Sequence, residues 1–344
     1  STHHLDTWAL SSRDQINEMW LSELRVSSLH ERFDDPSAYT TAGVNRTTQA
    51  SWSNTLALTR GQSVQLGLET QRSSFDDTPS SGYTPRDTHS LRLGYVGEQQ
   101  AFDWQLDARY DRTSDVGTAT TGYAGVGYKL DARWKLIASA STSFAAPTFI
   151  DLLYADPTAP RLRPERGRSV ELGVQFSTPQ LRARVTVFDA RIRDKVDFDP
   201  VTFYSSNIAR ATNRGVDVSV TAPVALGRVA LEASFNDPRN ADTGQRLLRR
   251  SRENVALNYT QPLGRWEWGA YLKFVGERVD TDPATLARVP NPAYTRVDFS
   301  GSTALTAHWR LRLRLENAFD NRRDEVLGYS ATPRGVFVSV LYSD

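Results

Sequence analysis

Near the end of the chain, apolar and polar residues alternate without a break from Trp309 to Glu316. The side chains of a β-strand point alternately to its two faces, so this segment predicts a strand with one apolar and one charged face. The apolar face would carry Trp309, Leu311, Leu313 and Leu315, and the charged face Arg310, Arg312, Arg314 and Glu316. A second strand follows after a loop, at 335–342. Successive strands of this kind, with an aromatic residue at the end of the apolar stripe, are typical of transmembrane β-barrels.

The same alternation recurs in seven earlier segments. These are residues 64–68, 102–110, 134–140, 170–176, 229–235, 266–274 and 297–305. An eighth segment changes phase: Leu181 to Val187 alternate regularly, but Ala190 and Ile192 fall on the opposite register. This change predicts either a β-bulge near Phe188 or a strand that leaves the bilayer at that point.

The connections between the predicted strands alternate between short and long. Short turns are expected near 16–19, 60–62, 97–100, 131–132, 178–180, 223–227, 262–264 and 307–308. Long connections are expected near 34–45, 73–87, 112–120, 145–168, 195–207, 237–252, 278–292 and 320–334. Short turns at one end and long loops at the other are the periplasmic and extracellular ends of an outer-membrane barrel. A soluble β-sandwich would not be expected to keep this strict alternation.

Counting the strands gives 17, or 16 if two of them merge. With 17, the first strand runs toward a short turn, so the chain would begin on the long-loop side. Bacterial single-chain barrels have an even number of strands, so we expect further strands to precede Ser1. The predicted fold is an all-β, antiparallel transmembrane barrel that occupies residues 1–344 as its C-terminal portion.

The composition narrows the class of protein. There is no run of about 18 apolar residues, which excludes a membrane helix. The formal net charge is +1, which argues against a nucleic-acid partner. Cysteine is absent, so thiolate metal sites and disulfides are excluded. The chain has 8 Trp, 13 Tyr and 14 Phe, a supply that interfacial aromatic belts would use. No catalytic constellation and no metal site is found, so we expect neither an enzyme nor a resident cofactor.

Three stretches add to the barrel pattern. They are residues 142–153 (TSFAAPTFIDLL) followed by 162–166 (LRPER), then 207–217 (NIARATNRGVD), and 315–321 (LENAFDN). In this order and spacing they resemble the C-terminal half of a TonB-dependent outer-membrane receptor. The likeness is closest to the vitamin B12 (cobalamin) branch. It rests there on LLRR at 247–250, on the strand 266–278 ending in VGER, and on VLGY at 326–329.

The resemblance implies an integral protein of the bacterial outer membrane. Members of this family have a 22-stranded barrel and an N-terminal plug domain, and the plug carries the segment that the protein TonB pulls. No plug sequence is visible in this chain, so the resemblance covers the barrel portion only. The implied function is active uptake of a scarce nutrient chelate, with cobalamin first. A haem or siderophore receptor of the same family, or a plugless diffusion porin, remain as alternatives.

Ligand contacts in such receptors come from extracellular loops and from the plug. The aromatic loop residues that become candidates are Tyr83, Phe149, Tyr154, Phe203 and Tyr204. Packing within the loops is the alternative role of each. The charged stripe of 309–316 is expected to face the lumen, where it would pair with acidic groups on neighbouring strands or contact the plug. The expected partners are therefore outer-membrane lipid, a plug, TonB and a small-molecule nutrient.

Overall fold

The computed structural model describes residues 2–34, 42–78, 85–199 and 202–343. Almost all of this chain is extended, as the alternating pattern predicts. The strands are β1 (Thr2–Asn17), β2 (Trp20–Asp34), β3 (Ala42–Thr59), β4 (Gln62–Thr78), β5 (Arg86–Gln99), β6 (Phe102–Thr113), β7 (Gly117–Lys129), β8 (Trp134–Ala145), β9 (Glu165–Ser177), β10 (Arg182–Asp199), β11 (Tyr204–Val224), β12 (Gly227–Asn236), β13 (Arg239–Asn240), β14 (Glu253–Leu263), β15 (Trp266–Val275), β16 (Arg278–Thr281), β17 (Arg288–Asn291), β18 (Tyr294–Ala304), β19 (Trp309–Glu316) and β20 (Gly335–Tyr342). The helix α1 (Phe149–Leu153) lies between β8 and β9.

The strands form one large antiparallel sheet in which each long strand pairs with its neighbours along the chain. This sheet has 18 strands, one of which is the two-residue β13, so 17 long strands remain. The all-β class, the antiparallel order and the strand count are thus confirmed. β16 and β17 form a separate hairpin above the sheet's loop end. Within the described residues no hydrogen bonds join β1 to β20, so these two strands are the edges of the sheet.

The short turns follow the prediction, but two of the long connections do not. All eight short turns are present and contain two to four residues. The long connections expected at 112–120 and 195–207 are wrong, because only residues 114–116 separate β6 from β7 and only residues 200–203 separate β10 from β11. The bulge expected near Phe188 is also wrong, since β10 pairs in unbroken register with β9 and with β11 through Arg193. The strand stays regular while its outward residues change from apolar to charged, and the alternative prediction, that the strand leaves the bilayer here, stays a prediction.

The sheet has two chemically different faces, which we call the apolar face and the polar face. Residues paired across strands lie on the same face, and pairs such as Leu106 with Ala124 and Ala138 with Leu172 make up the apolar face. The polar face carries ion pairs between strands. Arg92 lies 2.6 Å from Asp107, for example. A face of exposed Leu and Val opposite a face of ion pairs is the arrangement expected of a barrel wall between lipid and lumen.

Aromatic pairs line the apolar face at the short-turn end of the sheet. The ring centroids of Phe102 and Tyr128 are 4.7 Å apart, and those of Trp134 and Phe176 are 4.8 Å apart. At the far edge of the sheet, the Trp309 and Tyr342 rings are 5.0 Å apart. Each pair lies within a few residues of a short turn, as a belt at the membrane interface would.

Burial is densest at the opposite, long-loop end. Asp280 and Asn291, on the β16–β17 hairpin, are the largest fully buried side chains among the described residues. None of the described helical segments has the length and apolar character needed to cross a membrane. The best-packed part of the molecule is therefore a polar assembly of loops above the sheet.

Candidate ligand-binding site

A row of stacked aromatic rings crosses the polar face at its loop end. The Phe33 and Phe75 rings stack with centroids 6.2 Å apart, and Phe75 stacks on Phe149 at 6.4 Å. The His3 ring continues the row beyond Phe33 at 5.9 Å. Gly43 makes the row possible, because a Cβ there would lie 2.4 Å from the Phe33 ring. The row thus takes its rings from four separate segments, namely β1, β2, β4 and the helix α1.

The helix α1 holds Phe149 in this row. Thr148 caps it: the Thr148 hydroxyl accepts a hydrogen bond from the Asp151 amide at 3.0 Å, and the Asp151 carboxylate accepts one from the Thr148 amide at 2.8 Å. The Arg86 guanidinium lies 5.0 Å above the Phe149 ring. It also pairs with Asp115 at 2.6 Å. Phe149 is therefore packed between Phe75 and Arg86.

Two of the other aromatic candidates, Tyr154 and Phe203, belong to a second group around Phe198. The Tyr154 ring meets Phe198 edge-on at 6.0 Å, and Phe198 meets Phe203 at 6.4 Å. Tyr204 begins β11 opposite Asp199 and is exposed. Tyr83 lies outside the described residues. The structure thus places Phe149 in one cluster and Tyr154 and Phe203 in another, and the role of all the candidates in ligand contact stays a prediction.

Sequence reasoning missed the partners Phe33, Phe75 and Phe198. Phe33 and Phe75 occupy the polar-face register of β2 and β4, just before the long connections. An aromatic residue in a polar register near a loop was the available signal. It was overlooked because the apolar stripe alone was followed.

A buried carboxylate joins three long loops at what we call the loop junction, formed by Arg249, Asp280 and Leu327. Asp280 is fully buried. Its carboxylate accepts hydrogen bonds from the Arg249 Nε at 2.8 Å, the Leu327 amide at 2.9 Å and the Thr281 amide at 2.8 Å. Burial alone would raise the pKa of Asp280, but these hydrogen bonds together outweigh it and hold the pKa below its ordinary value. The junction therefore carries a buried negative charge at neutral pH.

A second set of contacts lies beside the loop junction. The Tyr294 hydroxyl donates to the Glu325 carboxylate, and Lys273 donates to the same carboxylate at 3.0 Å. These two hydrogen bonds lower the pKa of Glu325. The Arg278 guanidinium covers the Tyr294 ring at 5.2 Å, and Asn291 donates to the backbone oxygen of Asp324 at 3.1 Å. The loop between β19 and β20 is thus fixed to the β16–β17 hairpin.

Asn317, in the 315–321 stretch, has a structural role. Its side-chain amide donates to the backbone oxygens of Asn321 and Thr332, at 2.9 and 3.0 Å. Its backbone amide donates to Asp298 at 2.8 Å. Asn317 adopts a positive φ of 49°, a conformation that Asn tolerates better than most residues. This residue therefore starts the last long loop and closes it upon itself.

Two adjoining cavities, of about 590 and about 450 Å³, lie beneath the loop junction on the polar face. They share Arg249, Tyr294, Glu325 and Val326, and we call them together the loop cavity. Each has the size of a small-molecule pocket. The basic lining residues are Lys195, Arg249, Arg250, Lys273, Arg278, Arg296 and Arg323. Glu325 is the single acidic side chain among the lining residues that the structure describes, so the loop cavity is strongly basic.

Some buried polar atoms of this lining have no hydrogen-bond partner among the described residues. They are the Nε atoms of Arg278 and Arg296 and the Oδ1 atom of Asn213. Buried polar atoms are nearly always hydrogen-bonded in folded proteins. A polar group that entered the loop cavity could therefore gain hydrogen bonds from atoms that are already desolvated.

The charged side chains of β19 lie on the polar face, below the loop cavity and nearer the short-turn end of the sheet. Arg314 is 3.7 Å from Asp298 of the neighbouring strand and 3.2 Å from Glu316. Arg310 and Arg312 are exposed and have no ion pair with the described residues. Contact of this stripe with a plug stays a prediction. In the parts of the chain that the structure describes, no group of three or more His, Cys, Asp or Glu side chains could hold a metal ion.

The apolar face, bounded by aromatic pairs at the short turns and by solvated loops at the other end, has the construction of a membrane-spanning barrel wall. A family model described as "TonB dependent receptor-like, beta-barrel" matches residues 2–318. The chain belongs to this family, and the family assignment made from the sequence is confirmed.

The curated relatives found by sequence are vitamin B12 transporters named BtuB. The protein of Vibrio vulnificus is 27% identical over 273 residues, which cover 78% of this chain and 44% of that protein. The protein of Photobacterium profundum is 25% identical over 324 residues, which cover 91% of this chain and 52% of that protein. The chain therefore spans about half the length of these relatives.

Solved structures of similar shape share much less sequence. A mutant of the ferric enterobactin receptor PfeA of Pseudomonas aeruginosa superposes with a TM-score of 0.79 at 16% identity, covering 99% of this chain and 61% of that chain. The FrpB iron transporter of Neisseria meningitidis gives a TM-score of 0.78 at 12% identity, covering 98% and 62% respectively. At these identities the likeness concerns the fold alone.

Proposed function

We propose that this chain forms the wall of an outer-membrane receptor that takes up a scarce nutrient chelate, together with a plug and TonB. The observation that carries the proposal is the loop cavity, which lies between the polar face and three long loops and has unpartnered polar atoms in its lining. A receptor needs such a pocket on the side from which the nutrient arrives, whereas a diffusion channel needs an open lumen. A steady, large conductance of the complete gene product in planar bilayers would contradict a receptor and favour a porin.

Cobalamin is the ligand that we propose first. The stretches at 247–250, 275–278 and 326–329, on which the resemblance to the cobalamin branch rests, all contribute to the lining of the loop cavity. The curated relatives named vitamin B12 transporters support the same ligand. Cobalamin carries many side-chain amides, for which the Arg, Lys and Tyr donors of the cavity are suitable partners.

The test is saturable uptake of labelled cyanocobalamin by cells that express the complete gene encoding this chain. Arg250 lines the loop cavity and is exposed, whereas Arg133 lies in a short turn at the opposite end. Arg250→Gln should weaken uptake by a few fold, because a hydrogen bond to a neutral amide contributes about 1 kcal/mol. Arg133→Gln should leave uptake unchanged. Absence of saturable cyanocobalamin uptake would rule out the ligand.

An anionic chelate, such as a ferric siderophore, is the second candidate. The observation that favours it is the excess of basic over acidic side chains in the loop cavity. For such a ligand, Arg250→Gln would cost more than tenfold and the loss would shrink at high salt, since charge attraction is screened. Salt-dependent uptake of a ferric siderophore without cyanocobalamin uptake would select this candidate and leave the receptor class standing.

A further inference from the structure

Six arginines lie side by side on the apolar side of the sheet, just beyond its apolar band toward the long loops. They are Arg166 and Arg168 of β9, Arg191 and Arg193 of β10, and Arg210 and Arg214 of β11. We call them the arginine patch. All six side chains are exposed. Their strands are neighbours in the sheet, so the patch is continuous.

The register brings like charges directly opposite each other. Arg191 pairs with Arg168, and Arg193 lies between Arg166 on one side and Arg210 on the other. Like charges at directly opposite positions destabilise a sheet. An anion bound across these strands would therefore offset a repulsion that the fold itself creates.

The acidic residues nearby neutralise only part of this charge. Asp189 lies 2.9 Å from Arg191 and 2.7 Å from Arg214. Asp242 lies 2.6 Å from Arg210. Arg166, Arg168 and Arg193 form no ion pair with any described residue, although Arg166 also covers the Phe144 ring. The patch therefore keeps a strong positive charge at its centre.

The patch lies where lipid headgroups would be. On β9 the aromatic pair of the short-turn end involves Phe176, and Arg168 is eight residues away on the same face. Eight residues correspond to about 26 Å along a strand. Barrel strands tilt by about 35–45°, so this distance corresponds to about 20 Å along the membrane normal. The apolar band of a transmembrane barrel is about 25 Å tall, so Arg168 lies near its upper boundary.

An apolar groove of about 720 Å³ runs down the apolar face directly below the patch. Its floor is made of the small side chains of Ala124, Ala138 and Ala140. Its walls are Trp104 and Leu106 on one side, and Val170, Leu172 and Val187 on the other. Val170 and Asp189 line the groove one strand step below Arg168 and Arg191, so the groove leads straight to the patch.

We propose that the patch and the groove together bind one lipid with a phosphorylated headgroup, with a phosphate on Arg168, Arg191 and Arg193 and an acyl chain along the alanine floor. Arginine recognises phosphate through paired hydrogen bonds, and the groove offers an acyl chain walls on two sides. Only the apolar face and its orientation toward lipid enter this inference, so it is independent of the nutrient that the receptor takes up.

The test measures lipid binding to the full chain, refolded in dodecyl maltoside micelles, by native mass spectrometry. The probe is hexa-acylated lipid A with two phosphates, compared with the dephosphorylated lipid and with phosphatidylcholine. We expect the phosphorylated lipid to bind about tenfold or more tightly than the other two. The triple variant R168Q/R191Q/R193Q should lose this preference. Equal binding of the three lipids to the unmodified chain would overturn the proposal.

The control variant R32Q/R46Q/R72Q removes the same charge from the same face, at the loop end of β2, β3 and β4. It should change the affinity less than twofold, and an equal loss in both triple variants would overturn the proposal. Because the Arg193 side chain forms no ion pair with any described residue, Arg193→Gln alone tests the patch without risk to folding and should weaken binding about threefold.

Two further measurements distinguish binding of the whole lipid from binding of phosphate alone, and test the role of the groove. Inorganic phosphate at millimolar concentration should not displace lipid A; complete displacement would show that phosphate alone is bound. Filling the floor with Ala138→Leu and Ala140→Leu should weaken lipid A binding, because the acyl chain loses its place. Unchanged affinity in this variant would refute the role of the groove.

Discussion

Asp280→Ala is the substitution that most directly tests the loop junction. The Asp280 carboxylate is fully buried and accepts hydrogen bonds from the loop before β14, from its own hairpin and from the last long loop. Alanine removes all three acceptor contacts and leaves the surrounding backbone in place. The last long loop, residues 317–334, should then open more often while the sheet stays folded.

The magnitude follows from the groups that lose their partner. The amides of Thr281 and Leu327 would be left without an acceptor, at about 1–3 kcal/mol each. The Arg249 side chain is half exposed, so its ion pair adds no more than about 1 kcal/mol. If water reaches one of the two amides after the change, the net cost is about 3 kcal/mol. This corresponds to about a hundredfold increase in the open population of the loop.

Hydrogen–deuterium exchange measures this population. In Asp280→Ala, peptides from 317–334 should exchange about a hundredfold faster than in the unmodified chain, while peptides from β18 and β19 keep their rates. Asp282→Ala is the matched control, because Asp282 accepts hydrogen bonds from Ala284 and Thr285 within its own turn. Its effect should stay in that turn. Unchanged exchange of 317–334 in Asp280→Ala, or the same acceleration in the control, would refute the reasoning.

Three further predictions concern packing, acidity and the aromatic belt. Gly43→Ala should lower the midpoint of thermal unfolding, because its Cβ would lie 2.4 Å from the Phe33 ring and overpacking costs about 1–3 kcal/mol. The control Gly67→Ala should leave the midpoint unchanged, because the nearest atom to its Cβ would be 3.5 Å away. Equal midpoints of the two variants would contradict this account. The pKa of Asp280 is lowered in the folded state, so the stabilisation from this carboxylate is complete above the ordinary value of about 3.9 and is lost as the pH falls through the folded value. Pepsin should therefore cleave the loops increasingly as the pH falls below that ordinary value. Loosening between pH 5 and 8 would argue against it. Trp309→Ala should reduce the heat-resistant folded band on gels, because the Trp309 and Tyr342 ring centroids are 5.0 Å apart and such pairs contribute about 0.5–1.5 kcal/mol beyond burial. An unchanged band would show that this aromatic pair does not stabilise the fold.

The sequence alone was sufficient for the strands, their order and their two faces. Alternation with period two is a local property, and a strand such as β19 displays it within eight residues. Antiparallel neighbours joined by short turns need no information from distant parts of the chain. The strand count and the short turns were correct for this reason, and the family could be recognised from short stretches.

The phase change in β10 shows where local pattern stops being sufficient. Ala190 and Ile192 were compatible with a bulge or with a strand that leaves the bilayer. Only the pairing with both neighbours shows that the register is unbroken, so the outward positions become Asp189 and Arg191. The arginine patch could not be recognised until three strands were placed side by side.

The loop junction was decided by the tertiary structure alone. Arg249, Asp280 and Leu327 lie in three different loops, and each taken alone has the character of an ordinary solvated loop residue. The aromatic row through Phe33, Phe75 and Phe149 likewise joins three distant segments. The periodicity of a strand fixes which way a side chain points, because that depends on its own backbone. Which side chain it meets depends on how distant loops fold over the end of the sheet, and no local pattern carries that information.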